Sequence, residues 1–390
     1  MNAIRTVKAE ELMTFRTGKL DSNAAVLGGK YPFFTCAQET AQIDRYAFDT
    51  ECVLLAGNNA AGIFPLKYYR GKFNAYQRTY VIEPIDRKAV EARFIYYALS
   101  PLLTSLTSQA TGATTKFLTL RILKKLPIPL PSIEAQQRIC AILGGIEDLI
   151  ENNRQRIALL EKMAEEIYRE WFVRLRFPGH EHTPVHKGVP EGWKVGRLAD
   201  VASMVFGQSP LSEHYNEIGD GLPFHQGVGS YGDRFPKHDT YCSVDGRTAK
   251  AGSILFSVRA PVGRLNITDR KVVLGRGLAG LNERQGRNSY LWQLLKSSFS
   301  REDLIGNGAI FASVSKKELE GFPIFRPVEN LIDRFEKLAM PFDQQIDGLH
   351  RSNRLLTNTR DLLLNRLISG KLRVDDLNIQ LPPSMQDKAA

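Results

Sequence analysis

Cysteine is scarce in this chain. The four cysteines, Cys36, Cys52, Cys140 and Cys242, lie far apart and form no Cys-x-x-Cys pair, which argues against a structural zinc site and against a disulfide framework. The chain also lacks any apolar run that approaches the length of a membrane-spanning helix, and its first residues contain no apolar core of signal-peptide length. We therefore expect a cytoplasmic protein with no membrane contact and no bound metal.

Sequence motifs of catalysis are missing as well. A methyltransferase would need a glycine-rich cofactor loop and an Asn/Asp-Pro-Pro-aromatic segment, and the sequence contains neither. The glycine cluster nearest to such a motif, residues 57–62, has the wrong spacing for a dinucleotide or P-loop fingerprint and is interpreted as a turn. Residues 86–88 and 269–271 each place an acidic residue near a lysine, but they lack the grouped carboxylates that hold Mg²⁺. We expect a chain that is not an enzyme and binds no cofactor itself.

The chain does contain an internal repeat with an offset of 196 residues. A glycine-alanine pair, a leucine and a proline-punctuated segment recur in order, first as Gly112-Ala113, Leu123 and residues 126–131, then as Gly308-Ala309, Leu319 and residues 322–327. Each proline-punctuated segment opens a long stretch with helical periodicity. A globular domain followed by a long helix, used twice, predicts a molecule that grips two similar objects a fixed distance apart.

The two long stretches carry a heptad pattern of apolar residues. Apolar positions recur at alternating intervals of four and three residues, which predicts a coiled-coil seam. The seam positions expected to form the helix-pair interface are Ile146, Ile150, Asn153, Ile157, Leu160, Ile167 and Trp171 in the first helix, and Phe342, Ile346, Leu349, Asn353, Leu356, Leu363 and Leu367 in the second. The helices must pack on each other or on partner helices, because an apolar stripe is not stable alone in water. The two asparagines either fix the register or are solvated at the rim.

The globular parts show strand-like runs, Gly/Asn turns and one short amphipathic helix each, at residues 94–103 and 290–299. We predict an α+β fold with two mixed α/β domains, separated by two long antiparallel coiled-coil helices, in an internal pseudo-two-fold repeat. The expected boundaries are residues 1–131 for the first domain, 132–176 for the first helix, 177–192 for a linker, 193–327 for the second domain, 328–372 for the second helix and 373–390 for a tail.

The net charge of +10 lies in the globular repeats. It is +7 for residues 1–125 and +4 for residues 176–321, against −2 for residues 126–175. A basic surface attracts polyanions, of which nucleic acid is the commonest in a cytosol. Reading duplex DNA requires forked donors and acceptors on base edges, with cations and hydroxyls on phosphates.

Side chains of these types define the candidate DNA-binding residues. In the first repeat they are Lys19, Lys30, Gln38, Asn58, Asn59, Lys67, Tyr69, Arg70, Lys72, Arg78, Thr114, Thr115 and Lys116. In the second repeat they are Gln208, Gln226, Arg234, Lys237, Arg247, Arg259, Arg264, Arg276, Asn307 and Phe311. The densest mixture of aromatic and basic residues is the stretch 67–78.

Several motifs resemble those of one known family. They are the proline-punctuated helix start at residues 126–139, the helix end at Trp171-Phe172, the Gly192-Trp193-Lys194 start of the second repeat, the terminal residues 365–372 and the short motif at residues 29–34. Together they resemble the specificity (S, or HsdS) subunits of type I restriction-modification systems, and the resemblance covers nearly the whole chain.

The resemblance implies a function that the composition alone does not. It implies two target-recognition domains, each of which reads one half of an asymmetric bipartite site in double-stranded DNA. It implies two modification (methyltransferase) subunits as partners, which bind S-adenosylmethionine and methylate adenine, and restriction (motor-nuclease) subunits that join for cleavage. Two alternatives remain open at this point: a coiled-coil scaffold with basic globular ends, and a nuclease or methyltransferase that acts alone.

Overall fold

The structure, a computed structural model, describes residues 5–59, 62–110, 116–299, 313–375 and 377–380. The chain divides into two compact units. Unit 1 contains Met1–Asn153 and Arg351–Ala390, and unit 2 contains Arg154–His350. Both boundaries between the units fall inside long helices, so each long helix contributes residues to both units.

Unit 1 combines one large sheet with short helices. Its elements in chain order are β1 (Arg5–Lys8), α1 (Ala9–Leu12), β2 (Met13–Thr17), β3 (Tyr31–Phe34), β4 (Ala41–Ile43), β5 (Phe48–Ala56), β6 (Asn58–Asn59), β7 (Leu66–Ala75), β8 (Thr79–Pro84), α2 (Ala92–Leu99), α3 (Leu103–Gln109), β9 (Lys116–Phe117), α4 (Leu120–Lys124), β10 (Pro127–Leu130) and the first part of α5 (Ile133–Tyr168).

Unit 2 begins within α5 and repeats this mixture. Its further elements are β11 (Val185–His186), β12 (Val189–Pro190), β13 (Lys194–Arg197), α6 (Leu198–Val201), β14 (Ala202–Phe206), β15 (Tyr215–Asn216), β16 (Leu222–His225), β17 (Tyr241–Cys242), β18 (Thr248–Ala249), β19 (Ile254–Ser257), β20 (Leu265–Ile267), β21 (Val272–Leu274), β22 (Leu278–Glu283), α7 (Asn288–Phe299), α8 (Lys316–Glu320), β23 (Pro323–Arg326) and the first part of α9 (Glu329–Ile368).

The sheet of unit 1 has six strands in the order β2-β8-β5-β7-β3-β4. Strand β5 is buried on both faces because its side chains alternate between two cores. Val53 and Leu55 pack with Phe94 of α2, whereas Cys52 and Leu54 pack on the other face in a smaller aromatic core. The hydrophobic run of β5 is therefore the centre of the domain rather than an edge.

Where unit 1 has one six-stranded sheet, unit 2 has two smaller sheets, with strand orders β14-β22-β19-β20 and β15-β17-β16-β21-β18. Phe256 of β19 and Leu281 of β22 pack against Leu291 of α7 and against Phe335 of α9. The short helices expected in the two repeats are present as α2 and α7, each on the core side of its sheet.

The proline-punctuated segments are strands that pair with the start of their own repeat. Strand β10 pairs antiparallel with β1, from Arg5 opposite Leu130 to Lys8 opposite Pro127. Strand β23 pairs in the same way with β13, from Lys194 opposite Arg326 to Arg197 opposite Pro323. The first residues of the described chain therefore pack as those of the second repeat do, although they lack its Gly-Trp motif.

Capping residues mark the start of α5 and the end of α9. Ser132 caps α5, since its hydroxyl accepts a hydrogen bond from Ala135 N at 3.3 Å. Helix α5 continues through one wider π-helical turn, Arg169–Val173. Helix α9 ends at Ile368, and Gly370 follows with φ +71°, a left-handed conformation that favours glycine at a helix C-terminus.

Within unit 1 the two helices run antiparallel. Ile139 and Leu143 of α5 share a core with Leu363 and Leu367 of α9. Further along the same two helices, Asn153 Nδ2 donates a hydrogen bond to Asn353 Oδ1 at 2.9 Å. Asn153 is only 3% exposed, and Asn353 Nδ2 lies 3.4 Å from the carbonyl oxygen of Ile150, to which it donates. The two asparagines therefore form a hydrogen-bonded pair in which Asn153 is buried and Asn353 is half-buried.

Within unit 2 the helices also run antiparallel. Tyr168 and Trp171 of α5 contact Phe335 near the start of α9, with ring centroids 5.7 and 6.1 Å apart. Earlier in α5 and later in α9, Ile157 and Ile346 are buried. Every predicted seam residue is buried or half-buried.

Within the ranges that the structure describes, no helix is both long and apolar enough to cross a membrane. In those same ranges no group of three or more His, Cys, Asp or Glu side chains could hold a metal ion. All four cysteines carry free thiols, and all but Cys36 are buried.

Candidate nucleic-acid interface

Three loops meet at the same place in each unit. In unit 1, Tyr76 N donates to Phe34 O and Gln77 N donates to Leu20 O, each at 2.9 Å. These bonds join the loops after β2, after β3 and between β7 and β8. We call residues 18–20, 35–36 and 76–78 the unit 1 loop cluster.

One of these bonds has its equivalent in unit 2, and a second bond there joins the first and third loops in the opposite direction. Gly275 N donates to His225 O at 2.8 Å and Gln208 N donates to Leu274 O at 3.0 Å. They join the loops after β14, after β16 and between β21 and β22. We call residues 207–209, 226–227 and 275–277 the unit 2 loop cluster.

A glycine closes each cluster. A Cβ on Gly18 would lie 1.7 Å from the carbonyl oxygen of Ala75, and a Cβ on Gly207 would lie 2.1 Å from that of Gly275. Because no side chain fits at these distances, only glycine allows the loops to approach so closely. The repeat thus preserves the backbone contact while the exposed side chains around it differ.

The unit 1 loop cluster brings several predicted residues together. The Cys36 thiol donates to Asn58 Oδ1 at 3.0 Å. Strand pairing sets Asn59 opposite Lys116, and the Arg78 guanidinium lies 5.4 Å from the ring centre of Phe117. These contacts place the predicted asparagines and cations on one surface.

The basic and aromatic stretch 67–78 is divided by strand alternation. Lys67 lies over the ring of Phe34 at 5.8 Å and donates to Thr40 Oγ1 at 3.0 Å. Burial lowers the pKa of Lys67, and Glu39 partly offsets this effect. Tyr69 packs on the same side, 5.2 Å from Phe34 between ring centres. The tyrosine between them, Tyr68, points to the other face, where its hydroxyl donates to Glu51 at 2.6 Å.

Other predicted DNA-binding residues of unit 1 are at the surface. Lys72 lies 4.9 Å from the ring centre of Tyr46, and Lys19, Lys30, Gln38 and Arg70 are exposed. The predicted residues Thr114, Thr115, Asn307 and Phe311 lie outside the described residues.

Three of the predicted residues are solvent-exposed in the unit 2 loop cluster. Gln208, Gln226 and Arg276 are exposed. The hydroxyl of Ser209 joins two of them, because it donates to Gln226 Oε1 at 2.8 Å and accepts from Arg276 N at 3.2 Å. Lys237, Arg247, Arg259 and Arg264 are exposed elsewhere on the unit.

A chain of hydrogen bonds supports this loop cluster from inside. Because a carboxylate only accepts, His238 Nε2 donates to Asp269 Oδ1 at 2.7 Å. His238 Nδ1 lies 3.1 Å from His225 Nε2, and His225 Nδ1 lies 2.8 Å from the Ser230 hydroxyl. Burial, and to a smaller extent the neighbouring His238, lower the pKa of His225 to about 4. His225 is therefore neutral at pH 7.

The structure corrects the prediction for Arg234. This side chain is 2% exposed and forms ion pairs with Asp343, with Glu161 at 3.7 Å and with Asp347 at 3.4 Å. It also lies 5.3 Å from the ring centre of Trp292. A buried cation with three acidic partners is not available to a phosphate, so Arg234 anchors the globular part of unit 2 to its helices.

Sequence reasoning missed Ser209 and Gln77. Ser209 is the neighbour of a predicted residue, and Gln77 is exposed beside Arg78 in the unit 1 loop cluster. Extending the correspondence of Gly18 and Gly207 by two residues would have drawn attention to Ser209. Periodicity alone could not, because loop residues have no repeat spacing.

Fold and surface together define a two-unit α+β protein with a repeated loop cluster on each unit. The family described as "Type I restriction modification DNA specificity domain" matches residues 2–162. The putative type I restriction enzyme MjaX specificity subunit of Methanocaldococcus jannaschii is 32% identical over 260 residues, which span 65% of this chain and 60% of that protein. The EcoDI specificity subunit of Escherichia coli is 26% identical over 94% of this chain and 88% of its own length.

A solved structure agrees with the fold. The S subunit of a type I restriction-modification system from M. genitalium has a TM-score of 0.65 at 18% identity, over 93% of this chain and 96% of that one. The matched family model and both relatives are those of specificity subunits of type I restriction-modification systems, so the chain is similar to that family. The family resemblance and the α+β fold with two long helices are thereby confirmed.

Proposed function

We propose that the chain is the sequence-specific DNA-binding subunit of a type I restriction-modification complex. Each globular domain, residues 1–131 and 193–327, reads one half of an asymmetric bipartite site. The observation that carries this proposal is the recurrence of one glycine-closed loop cluster in both units, with different exposed polar side chains around it. Two domains that bind different DNA sequences require a shared loop backbone that carries different side chains.

The partners follow from this role. Two modification subunits carry S-adenosylmethionine and methylate adenine on the bound site, and restriction subunits join them, while the chain itself binds no cofactor and catalyses no step. Exposed leucines outside the helix seam support docking on the helices. Leu159 of α5 is 62% exposed, and Leu355 and Leu362 of α9 are 66% and 72% exposed. Apolar side chains repeated along a helix surface mark a protein contact.

A salt titration tests DNA binding. The complex of this chain with its modification subunits is mixed with labelled duplex DNA, and the dissociation constant is measured at increasing salt. If roughly six phosphates are contacted, affinity should fall by about 10³-fold between about 50 and 200 mM salt. A flat response would contradict the proposal and favour a protein-binding scaffold.

A second measurement separates this role from that of an enzyme acting alone. The purified chain is incubated with duplex DNA and labelled S-adenosylmethionine, with and without the modification subunits. Methyl transfer is expected only when these subunits are present. Transfer or cleavage by the chain alone would overturn the assignment.

A further inference from the structure

The side chains of the unit 2 loop cluster are fixed more tightly than exposed residues usually are. Gly275 N donates to His225 O at 2.8 Å and Gly277 N donates to Gln226 O at 3.1 Å. The two donors, Gly275 and Gly277, are the chain neighbours of Arg276. The two acceptors are Gln226 and the residue before it, His225. A Cβ on Gly275 would lie 2.6 Å from Gln226 Cα. The backbones that carry Gln226 and Arg276 are therefore pressed together.

Ser209 sets the direction of the Gln226 amide. The backbone N–H of Arg276 only donates, so the Ser209 hydroxyl accepts that bond, at 3.2 Å. Its single proton is directed to Gln226 Oε1, at 2.8 Å. With Oε1 engaged, the two N–H donors of the amide are the free part of the group.

The buried histidine chain makes this arrangement rigid. His225 directly precedes Gln226, is 1% exposed and is bonded through both ring nitrogens. Ser230, at the other end of the same loop, bonds to His225, and the chain ends on Asp269. A side chain that reads bases must be held by its neighbours in this way, because a loose one loses selectivity.

We propose that Gln226 and Arg276 are the base-reading pair of the second domain, with Ser209 as their positioning residue. This inference rests on the function proposed above and deepens it. Both side chains present donors, so they select base edges that accept hydrogen bonds. Arginine pairs best with O6 and N7 of guanine in the major groove. The half-site read by unit 2 therefore contains a guanine opposite Arg276, next to a base with an accepting edge opposite Gln226.

Unit 1 supports the assignment by comparison. Thr79 N donates to Tyr76 O at 2.9 Å, as Leu278 N donates to Gly275 O at 3.1 Å in unit 2. Counted from these bonds and from the closing glycines, Leu20, Thr35 and Gln77 stand where unit 2 has Ser209, Gln226 and Arg276. The backbone is shared at these three positions and the side chains differ, as expected if the two domains bind different DNA sequences.

The test compares variants within the complex of the chain and its modification subunits. Methylated adenines are mapped by sequencing a DNA library treated with each complex. We expect Arg276→Ala and Gln226→Ala to reduce discrimination at one or two bases of a single half-site by roughly 10-fold or more. Ser209→Ala should reduce it less, and Ser209→Thr should restore it. Lys317→Ala, which changes an exposed lysine of the same unit on α8 that is not a candidate DNA-binding residue, should leave both half-sites unchanged.

The other half-site serves as an internal control for folding. If it remains selective while the second relaxes, the inference is supported. If the wild type selects a bipartite site and neither Arg276→Ala nor Gln226→Ala changes it, this inference is wrong and the proposed function stands. If the wild type shows no sequence preference, the proposed function itself fails.

Discussion

At the scale of single residues, the buried charges and histidines of unit 2 show why composition is a poor guide to a site. Arg234 and Arg276 are both arginines in a basic domain, yet one is buried among three carboxylates and the other is exposed in a loop cluster. Their difference arises from contacts with residues far away in sequence. Local pattern could not distinguish them, because both lie in segments with turn-like composition.

Replacing Arg234 tests its anchoring role. Arg234→Ala leaves Glu161, Asp343 and Asp347 facing one another without their shared cation. The free energy of unfolding should fall by about 2 to 4 kcal/mol, less than for a fully buried pair, because the carboxyl side chains remain 23–36% exposed. Chemical denaturation measures this. Arg247→Ala is the control, with an expected change within about 0.5 kcal/mol. Unchanged stability with weakened DNA binding would restore Arg234 as a DNA contact.

The histidine chain predicts a pH dependence of stability. Burial holds the pKa of His225 at about 4, with His238, Asp239 and Asp269 as its charged or titratable neighbours. Unfolded histidine titrates near 6.5. As pH falls from 6.5 towards 4, the unfolded chain takes up a proton that the folded chain does not, so stability decreases. The decrease should be on the order of 3 kcal/mol.

Denaturation of the wild type and of His225→Gln across this pH range measures the effect. The variant should lose the part of the slope that comes from position 225. Parallel curves for the two proteins would show that His225 does not titrate as described.

At the scale of elements, the long helices follow from sequence and the strand pairs do not. The heptad spacing predicts both helices and their seam, since intervals of four and three residues return an apolar side chain to one face about once per turn. The pairing of β1 with β10 joins residues more than a hundred positions apart, and no local pattern records it. The asparagine pair lies between these cases: spacing locates Asn153 and Asn353 in the seam, but only the structure shows their hydrogen bond.

A double-mutant cycle tests the asparagine pair. Asn353→Leu leaves the buried amide of Asn153 without its partner, and Asn153→Leu removes the donor to Asn353 Oδ1. Either change should destabilise the chain by about 1 to 3 kcal/mol. The double substitution removes both amides and should cost less than the sum of the single changes. Chemical denaturation gives the coupling energy, expected at about 1 kcal/mol or more. Additive effects would show that the two side chains do not interact.

At the scale of the whole molecule, the internal repeat is the feature that sequence predicts best. The 196-residue offset, the mixed fold and the basic domains are all apparent from residue patterns. What the sequence could not predict is which side chains meet in each loop cluster, because close approaches such as Gly207 to Gly275 depend on tertiary contacts. Two similar long helices joined to loop clusters with different side chains explain why the chain contains two copies of a globular domain followed by a helix.

The same plan predicts that helix length sets the gap between half-sites. One heptad is inserted into each long helix, after Asn153 and before Arg351, which preserves the seam on both sides. The preferred gap should change while each half-site sequence stays the same. Selection from a DNA library measures both quantities. An unchanged gap length would show that the helices do not set the distance between the half-sites.

The most direct test of the central claim is a map of methylated adenines in cells that express this chain with its modification subunits. The account predicts one bipartite motif, with two defined half-sequences separated by a gap of constant length, that disappears when this chain is deleted. It also predicts that exchanging residues 193–327 for the corresponding domain of another specificity subunit changes only one half. A continuous motif, or a motif that persists without this chain, would contradict it.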